Sequence, residues 1–208
     1  IIVIGGILGG VFTATEASVI AVVYVLVVSL ASRQLRLNRL FRLTEDSIGL
    51  FSLSLLCVAA ASLWGWVLAF YGVPQAVVAW LGELGLLGST FGIFAVVIVV
   101  FLVIGTFMDA IPAIIILQPI VGALTLAGGI DPYHMGIVVV LTLAIGLITP
   151  PYGLCLLIAS DLAGLSTVEA VRALVPFYII SLGVLAVAAF FPDLVLMIPR
   201  LAMGGLSR

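Results

Sequence analysis

A chain of 208 residues with 65% hydrophobic and only 8% charged residues cannot cover a water-facing surface, since soluble domains carry about a quarter charged residues. A mean hydropathy of +1.50 points the same way: the surface faces lipid. A formal net charge of −2 lacks the basic footprint of a nucleic-acid binder, and none is expected as a partner.

A bilayer core of about 30 Å takes about 20 mostly apolar residues in a helix, and several stretches qualify. Residues 1–32 read as a broken or closely packed transmembrane helix. Ile1 opens inside an apolar run with no basic leader and no start methionine, so the chain reads as part of something longer. One helix is expected to begin before Gly10 and extend through residues 17–31. Gly5, Gly6, Gly9 and Gly10 would give it a face without side chains for close packing. Thr13, Thr15 and Glu16 follow, either as an interfacial N-cap or as polar groups at a functional break.

All seven basic residues are arginines, and Arg33, Arg36, Arg39 and Arg42 crowd into residues 33–46. Leucines and arginines alternate there as in an amphipathic arm lying in the interface, its arginines reaching headgroups. The positive-inside bias favours the cytoplasmic side, although an inverted repeat could put an equivalent arm on either. Thr44-Glu45-Asp46 reads as the start of the next helix.

Residues 47–88 supply a membrane-length helix over 48–70, the breaker Tyr71-Gly72-Val73-Pro74 and a short helix over 74–84, closed by Gly85 and Gly88. Residues 89–165 hold apolar stretches over 91–104, 113–127, 135–148 and 153–160. Between the middle two lies a polar turn, Gly129-Ile-Asp-Pro-Tyr-His134. Residues 166–200 hold the last spanning helix, over 171–191, stopped by Pro192 and Pro199.

Two interruptions in 89–165 fall at membrane depth, near 105–112 and 146–153. In Gly105-Thr106-Phe107-Met108-Asp109-Ala110-Ile111-Pro112 an ionisable residue stands between apolar stretches of about 15 residues, a length suited to re-entrant segments. A charge in lipid costs about 2.5–3.5 kcal/mol on insertion scales and points to function; the simpler reading is a helix cap at a membrane surface. In Gly146-Leu147-Ile148-Thr149-Pro150-Pro151-Tyr152-Gly153, two prolines remove two backbone donors and should leave earlier carbonyls without helical partners. The site reading is that carbonyls and the Thr149 hydroxyl form an oxygen-only set suited to a hard cation such as sodium. The plainer one is a proline kink. Paired broken segments are the sequence pointer to a carrier's midplane site.

The other polar groups point to less. Cys57 and Cys155 read as small buried hydrophobes, His134 as interfacial, and Trp64, Trp66 and Trp80 as interface anchors. Gln118 is a candidate for bonding between helices, and Asp161 and Glu169 fit a solvated turn before a helix. No nucleophile–base pair, metal-ligand cluster or phosphate loop is visible, so neither an enzyme nor a bound cofactor is expected.

The segments Gly5–Ala17, Gly105–Ala113 and Gly146–Leu154, supported by Ala60–Leu68 and Gly129–Pro132, resemble the large membrane (permease) subunit of TRAP (tripartite ATP-independent periplasmic) transporters. The likeness runs along the whole chain, with one departure at Ala14, where proline is usual. It implies an all-α polytopic membrane protein, the C-terminal half of an inverted-repeat, elevator-type carrier with a re-entrant hairpin and a broken transmembrane helix. Which break is which stays open. The implied function is sodium-coupled import of a small organic anion, such as a dicarboxylate or sialic acid, across the bacterial inner membrane. The implied partners are a small membrane subunit and a periplasmic substrate-binding protein. A sodium site would fall on Gly105, Thr106, Asp109, Gly146, Thr149, Pro150 and Tyr152, the last through its carbonyl. Met108, Thr149 and Pro151 are expected to face substrate. The competing readings are another ion-coupled anion carrier of similar design, or a structural membrane subunit.

Overall fold

The computed structural model describes residues 5–7, 10–32 and 37–202, and every regular element among them is helical. Residues 5–7 are helical, and nine longer helices follow: α1 (Ala14–Ala31), α2 (Leu37–Phe70), α3 (Val73–Glu83), α4 (Thr90–Phe107), α5 (Ala110–Ala127), α6 (Pro132–Gly146), α7 (Leu154–Leu162), α8 (Thr167–Phe190) and α9 (Pro192–Ala202). Five stretches are long and apolar enough to cross a membrane: α1, Leu40–Phe70 of α2, α4, α5 and α8. Contacts divide the chain into two compact units, Ile1–Leu55 and Leu56–Arg208.

In the first unit, α1 does not run through Gly10. Thr13 caps it in a reciprocal box: the Glu16 N–H donates to the Thr13 hydroxyl, and the Thr13 N–H donates to the Glu16 carboxylate at 2.9 Å. Gly10 turns the chain at φ +67°, and a Cβ on Gly6 would strike the Phe12 ring at 2.6 Å. Among the described residues nothing comes within 4 Å of a Cβ built on Gly5 or Gly10. Gly10 therefore serves a turn ahead of α1, and Gly9 is outside the described residues. Arg33 and Arg36 are also outside them, so the expected arm is seen only from residue 37. From there the chain is already in α2, and the Thr44 hydroxyl donates back to the Leu40 carbonyl at 2.9 Å. Thr44–Asp46 therefore starts no helix, because nothing before it breaks one. The 34 residues of α2 would extend about 51 Å, so its charged end around Arg42, Glu45 and Asp46 need not enter lipid.

The second unit carries the core. Gly72, at φ +68°, and Pro74 separate α2 from α3 as expected. The helices α4 and α5 have 18 residues each, about 27 Å, longer than the stretches of about 15 residues read from the sequence. They fold back on each other: a Cβ on Gly128, just past α5, would sit 2.4 Å from Cδ1 of Ile93 near the start of α4. The Asp109 break is thus the tip of an antiparallel hairpin.

Helix α6 packs chiefly on α4, and the buried Phe94, Val97, Phe101, Met135, Val138 and Leu143 belong to one core. Helix α8 runs back along α6 and α7. His134 Nε2 lies 2.8 Å from the Ala188 carbonyl at one end of α6, and the Tyr178 hydroxyl donates to the Ile148 carbonyl just past its other end. The part of α8 before Tyr178 is left for α7, which packs on it. The 147–153 break is therefore an interruption within one helical run, with α6 and α7 stacked along α8. Lipid offers no hydrophobic drive to join helices, so close van der Waals packing of small residues such as Ala113, Ala170, Ala188 and Ala189 holds the bundle.

His134 is 3% exposed, and its ring packs 4.8 Å from that of Phe94. Three expectations change. Cys57 and Cys155 are exposed, which costs a small apolar residue nothing on a lipid-compatible surface. Pro192 ends α8 but opens α9, where a first-turn proline has no helical N–H to lose. Pro199 lies within α9 and stops nothing.

Candidate functional site

Helix α4 ends at Phe107, Met108 is extended (φ −139°, ψ 158°), and Asp109 begins α5 as its N-cap, accepting from the Ala110 N–H at 2.8 Å. The sequence dictates this locally. Aspartate is a preferred cap, its charge suits the positive end of the helix dipole, and Pro112 falls in the first turn where no N–H is required. The capping role read as the simpler alternative is thus present in the geometry. It engages one carboxylate oxygen, and the side chain is exposed.

Thr106 is buried, and its hydroxyl donates to the Val103 carbonyl at 2.7 Å. A hydroxyl that donates backwards keeps its lone pairs for a cation.

The second break re-uses its carbonyls. The Gly146 carbonyl accepts from the Thr149 N–H at 2.9 Å, and the Leu147 carbonyl from the Cys155 N–H at 3.1 Å. Both were expected to lose their partners to the prolines; the loop supplies others. Ile148 gives its carbonyl to Tyr178, and Thr149 gives its own to the Gly153 N–H at 3.1 Å. The Thr149 hydroxyl donates to the Ile145 carbonyl at 2.7 Å and lies beside the Tyr178 hydroxyl. Among the described residues no backbone N–H reaches the carbonyls of Pro151 or Tyr152. The Pro150–Pro151 peptide is cis. Gly153 admits no side chain, since a Cβ would lie 2.8 Å from the Thr149 oxygen and 2.9 Å from that of Leu147.

One contact draws the two breaks together. A Cβ on Gly146 would lie 2.8 Å from the Gly105 Cα, and one on Gly105 would lie 3.1 Å from the Gly146 Cα. Helices α4 and α6 thus cross backbone to backbone just before each unwinds. Beyond the crossing, the rings of Phe107 and Tyr152 meet at 5.5 Å.

Gly105, Thr106 and Gly146 are buried; Met108 and Thr149 are half-buried; Asp109, Pro150, Pro151 and Tyr152 are exposed. The contacts bring Gly105 to Gly146 and Phe107 to Tyr152, and a carboxylate, two hydroxyls and unwound carbonyls lie within a few residues of them along the chain. Such donors suit a hard cation. The sequence alone does not point to Tyr178, which lies 30 residues from its partner in an ordinary apolar helix, with no local signal.

Residues 1–194 match the family model described as the DctM component of the tripartite ATP-independent periplasmic transporter. Among relatives, the C4-dicarboxylate TRAP transporter large permease protein of Pseudomonas aeruginosa is 37% identical over 96% of this chain and 47% of its own length. The 2,3-diketo-L-gulonate TRAP transporter large permease protein of Escherichia coli is 33% identical, over 95% and 46% respectively. The sialic acid TRAP transporter large permease protein of Vibrio cholerae is 28% identical, over 98% and 48%. The chain spans about half the length of these relatives. With its apolar helices and its family match, it is a multi-pass membrane protein, and it belongs to the DctM family of TRAP transporter large permease subunits, a family of transporters rather than enzymes.

Proposed function

We propose that this chain forms the C-terminal half of a bacterial inner-membrane permease that imports a small organic anion coupled to sodium. The observation that carries the proposal is the Gly105–Gly146 crossing, which sets a carboxylate-capped hairpin tip beside an unwound, proline-built interruption. Sodium would be held by oxygens of Gly105, Thr106, Asp109, Gly146, Thr149, Pro150 and Tyr152. Substrate would sit beside Met108, Thr149 and Pro151. Bound sodium would offset the charge of an incoming carboxylate, while the N-termini of α5 and α7 offer positive dipole ends to it.

The hairpin and the interrupted run fit a body that moves as a unit against a scaffold, as in an elevator. The dicarboxylate, diketogulonate and sialic acid named for relatives set the substrate class. A relative named as a single DctMQ permease supports partnership with a small membrane subunit, and the family's description supports a periplasmic binding protein.

The test is reconstitution of the full-length permease with its small subunit and binding protein, following labelled organic acid uptake. Uptake is expected to need an inward sodium gradient, and Asp109→Asn to raise the sodium concentration for half-maximal uptake about 10- to 100-fold. Equal uptake with potassium in place of sodium, or wild-type behaviour of the variant, would overturn the proposal.

A further inference from the structure

Most side-chain hydrogen bonds recorded in this chain close within four residues, as expected where hydroxyls satisfy themselves on their own helix. Among the described residues, two that reach much further concern α6, α8 and the second break. His134 to Ala188 pins the buried start of α6 to the end of α8. Tyr178 to Ile148 fastens α8 to the 147–153 break itself.

The second bond has a particular place. Ile148 immediately precedes Thr149, whose hydroxyl is anchored to Ile145 and whose carbonyl is taken by Gly153. Pro150 and Pro151 have no N–H with which to hold the loop from the other side. The Ile148 carbonyl has lost its helical donor, and the Tyr178 hydroxyl replaces it from outside the loop. Tyr178 is half-buried in α8, two residues past Pro176, and its neighbours Ile180 and Ser181 line the groove that Ile145 and Ile148 also line. The break is thus held by a side chain from a separate helix.

We infer that Tyr178 is a positioning residue for the cation site: its bond to the Ile148 carbonyl fixes the direction in which Thr149 and the following carbonyls present their oxygens. This rests on the sodium site proposed above. Cation affinity is sensitive to ligand direction, because oxygens left to reorient must be ordered on binding and that ordering weakens it.

The experiment uses the full-length permease assembled with its small subunit and binding protein. Sodium activation of uptake is measured for wild type, Tyr178→Phe, Tyr178→Leu and Asp109→Asn. Tyr178→Phe keeps the ring and removes only the hydroxyl. It is expected to raise the sodium concentration for half-maximal uptake about five- to tenfold, the worth of one hydrogen bond, while maximal uptake at saturating sodium stays near wild type. Tyr178→Leu also loses the ring packing, and is expected to lower maximal uptake and thermal stability as well. Unchanged sodium activation in Tyr178→Phe, with Asp109→Asn defective, would overturn the positioning role and leave the sodium site standing. Lower maximal uptake without any change in half-maximal sodium would reduce Tyr178 to a structural brace and overturn the role equally. Wild-type sodium activation in Asp109→Asn would overturn the site on which the inference rests.

Discussion

The two breaks meet at one crossing yet are built on opposite principles. The first, at Met108–Asp109, is a reversal between two 18-residue helices, and it carries a formal charge. Its carboxylate caps α5, so the group that would bind a cation also starts the helix. The second, over 147–153, carries no charge and does not reverse the chain. Two prolines, a loop of re-paired carbonyls and a tyrosine from α8 hold it open. Charge at membrane depth is costly and can be placed sparingly, whereas carbonyl dipoles are already present and need only be turned. In the proposed site the pairing would give one strong ligand at the hairpin tip and several weak ones in the interruption.

If that division is right, the largest effect comes from the charge. Asp109→Asn keeps a side chain that caps helices about as well as aspartate, so the fold should hold. An interaction with a charged group is worth about 1.5–3 kcal/mol, so apparent sodium affinity should fall about 10- to 100-fold in uptake assays. Asp109→Ala should add a loss of about 1 kcal/mol of helix stability from the missing cap. If Asn and Ala lose stability alike and leave sodium dependence alone, the tip is a cap only, and the contrast between the breaks disappears.

The crossing itself is the next place to press. A methyl on Gly146 meets the Gly105 Cα at 2.8 Å, whereas one on Gly105 meets the Gly146 Cα at 3.1 Å. Neither neighbour is a flexible side chain, so the backbones must part. Gly146→Ala should cost about 1–3 kcal/mol, typical of overpacking, and Gly105→Ala less. Thermal unfolding of the purified permease in detergent measures both. Equal and negligible losses would mean that the two breaks do not depend on this contact to meet.

Much of this was legible in the sequence because its punctuation is local. Gly72 and Pro74, Asp131 and Pro132, and Ser166 with Glu169 act within one turn of where they stand, and the helix ends follow them. Both breaks were visible for the same reason. What escaped was set at a distance or by competition. Thr44–Asp46 has the composition of a helix start, yet a helix already running absorbs it. Nothing beside His134 in the sequence tells that α4 and α8 packing buries its ring. Which break was hairpin and which interruption needed Gly128 against Ile93 and Tyr178 against Ile148, contacts 35 and 30 residues apart in the chain. The resemblance named the site residues; only the folded chain brought Gly105 and Gly146 together.

The smallest effect asks which break supplies the better hydroxyl. Thr106 and Thr149 both donate back to their own turn, at 2.7 Å in each case, so replacement by the near-isosteric valine removes one oxygen and little packing. Back-bonding of this kind slightly destabilises a helix, so stability should change little. A neutral oxygen ligand is worth about 0.5–1.5 kcal/mol, or about two- to tenfold in apparent sodium affinity. Thr149→Val should fall in the upper part of that range, because its hydroxyl sits where the chain has already left the helix and its oxygen is half-exposed. Thr106→Val should fall in the lower part, because Thr106 is buried within the last turn of α4. Serine at either position restores the oxygen and should restore affinity. If Thr106→Val proves the more damaging, the hairpin tip holds hydroxyl and carboxylate together, and the interruption contributes carbonyls alone.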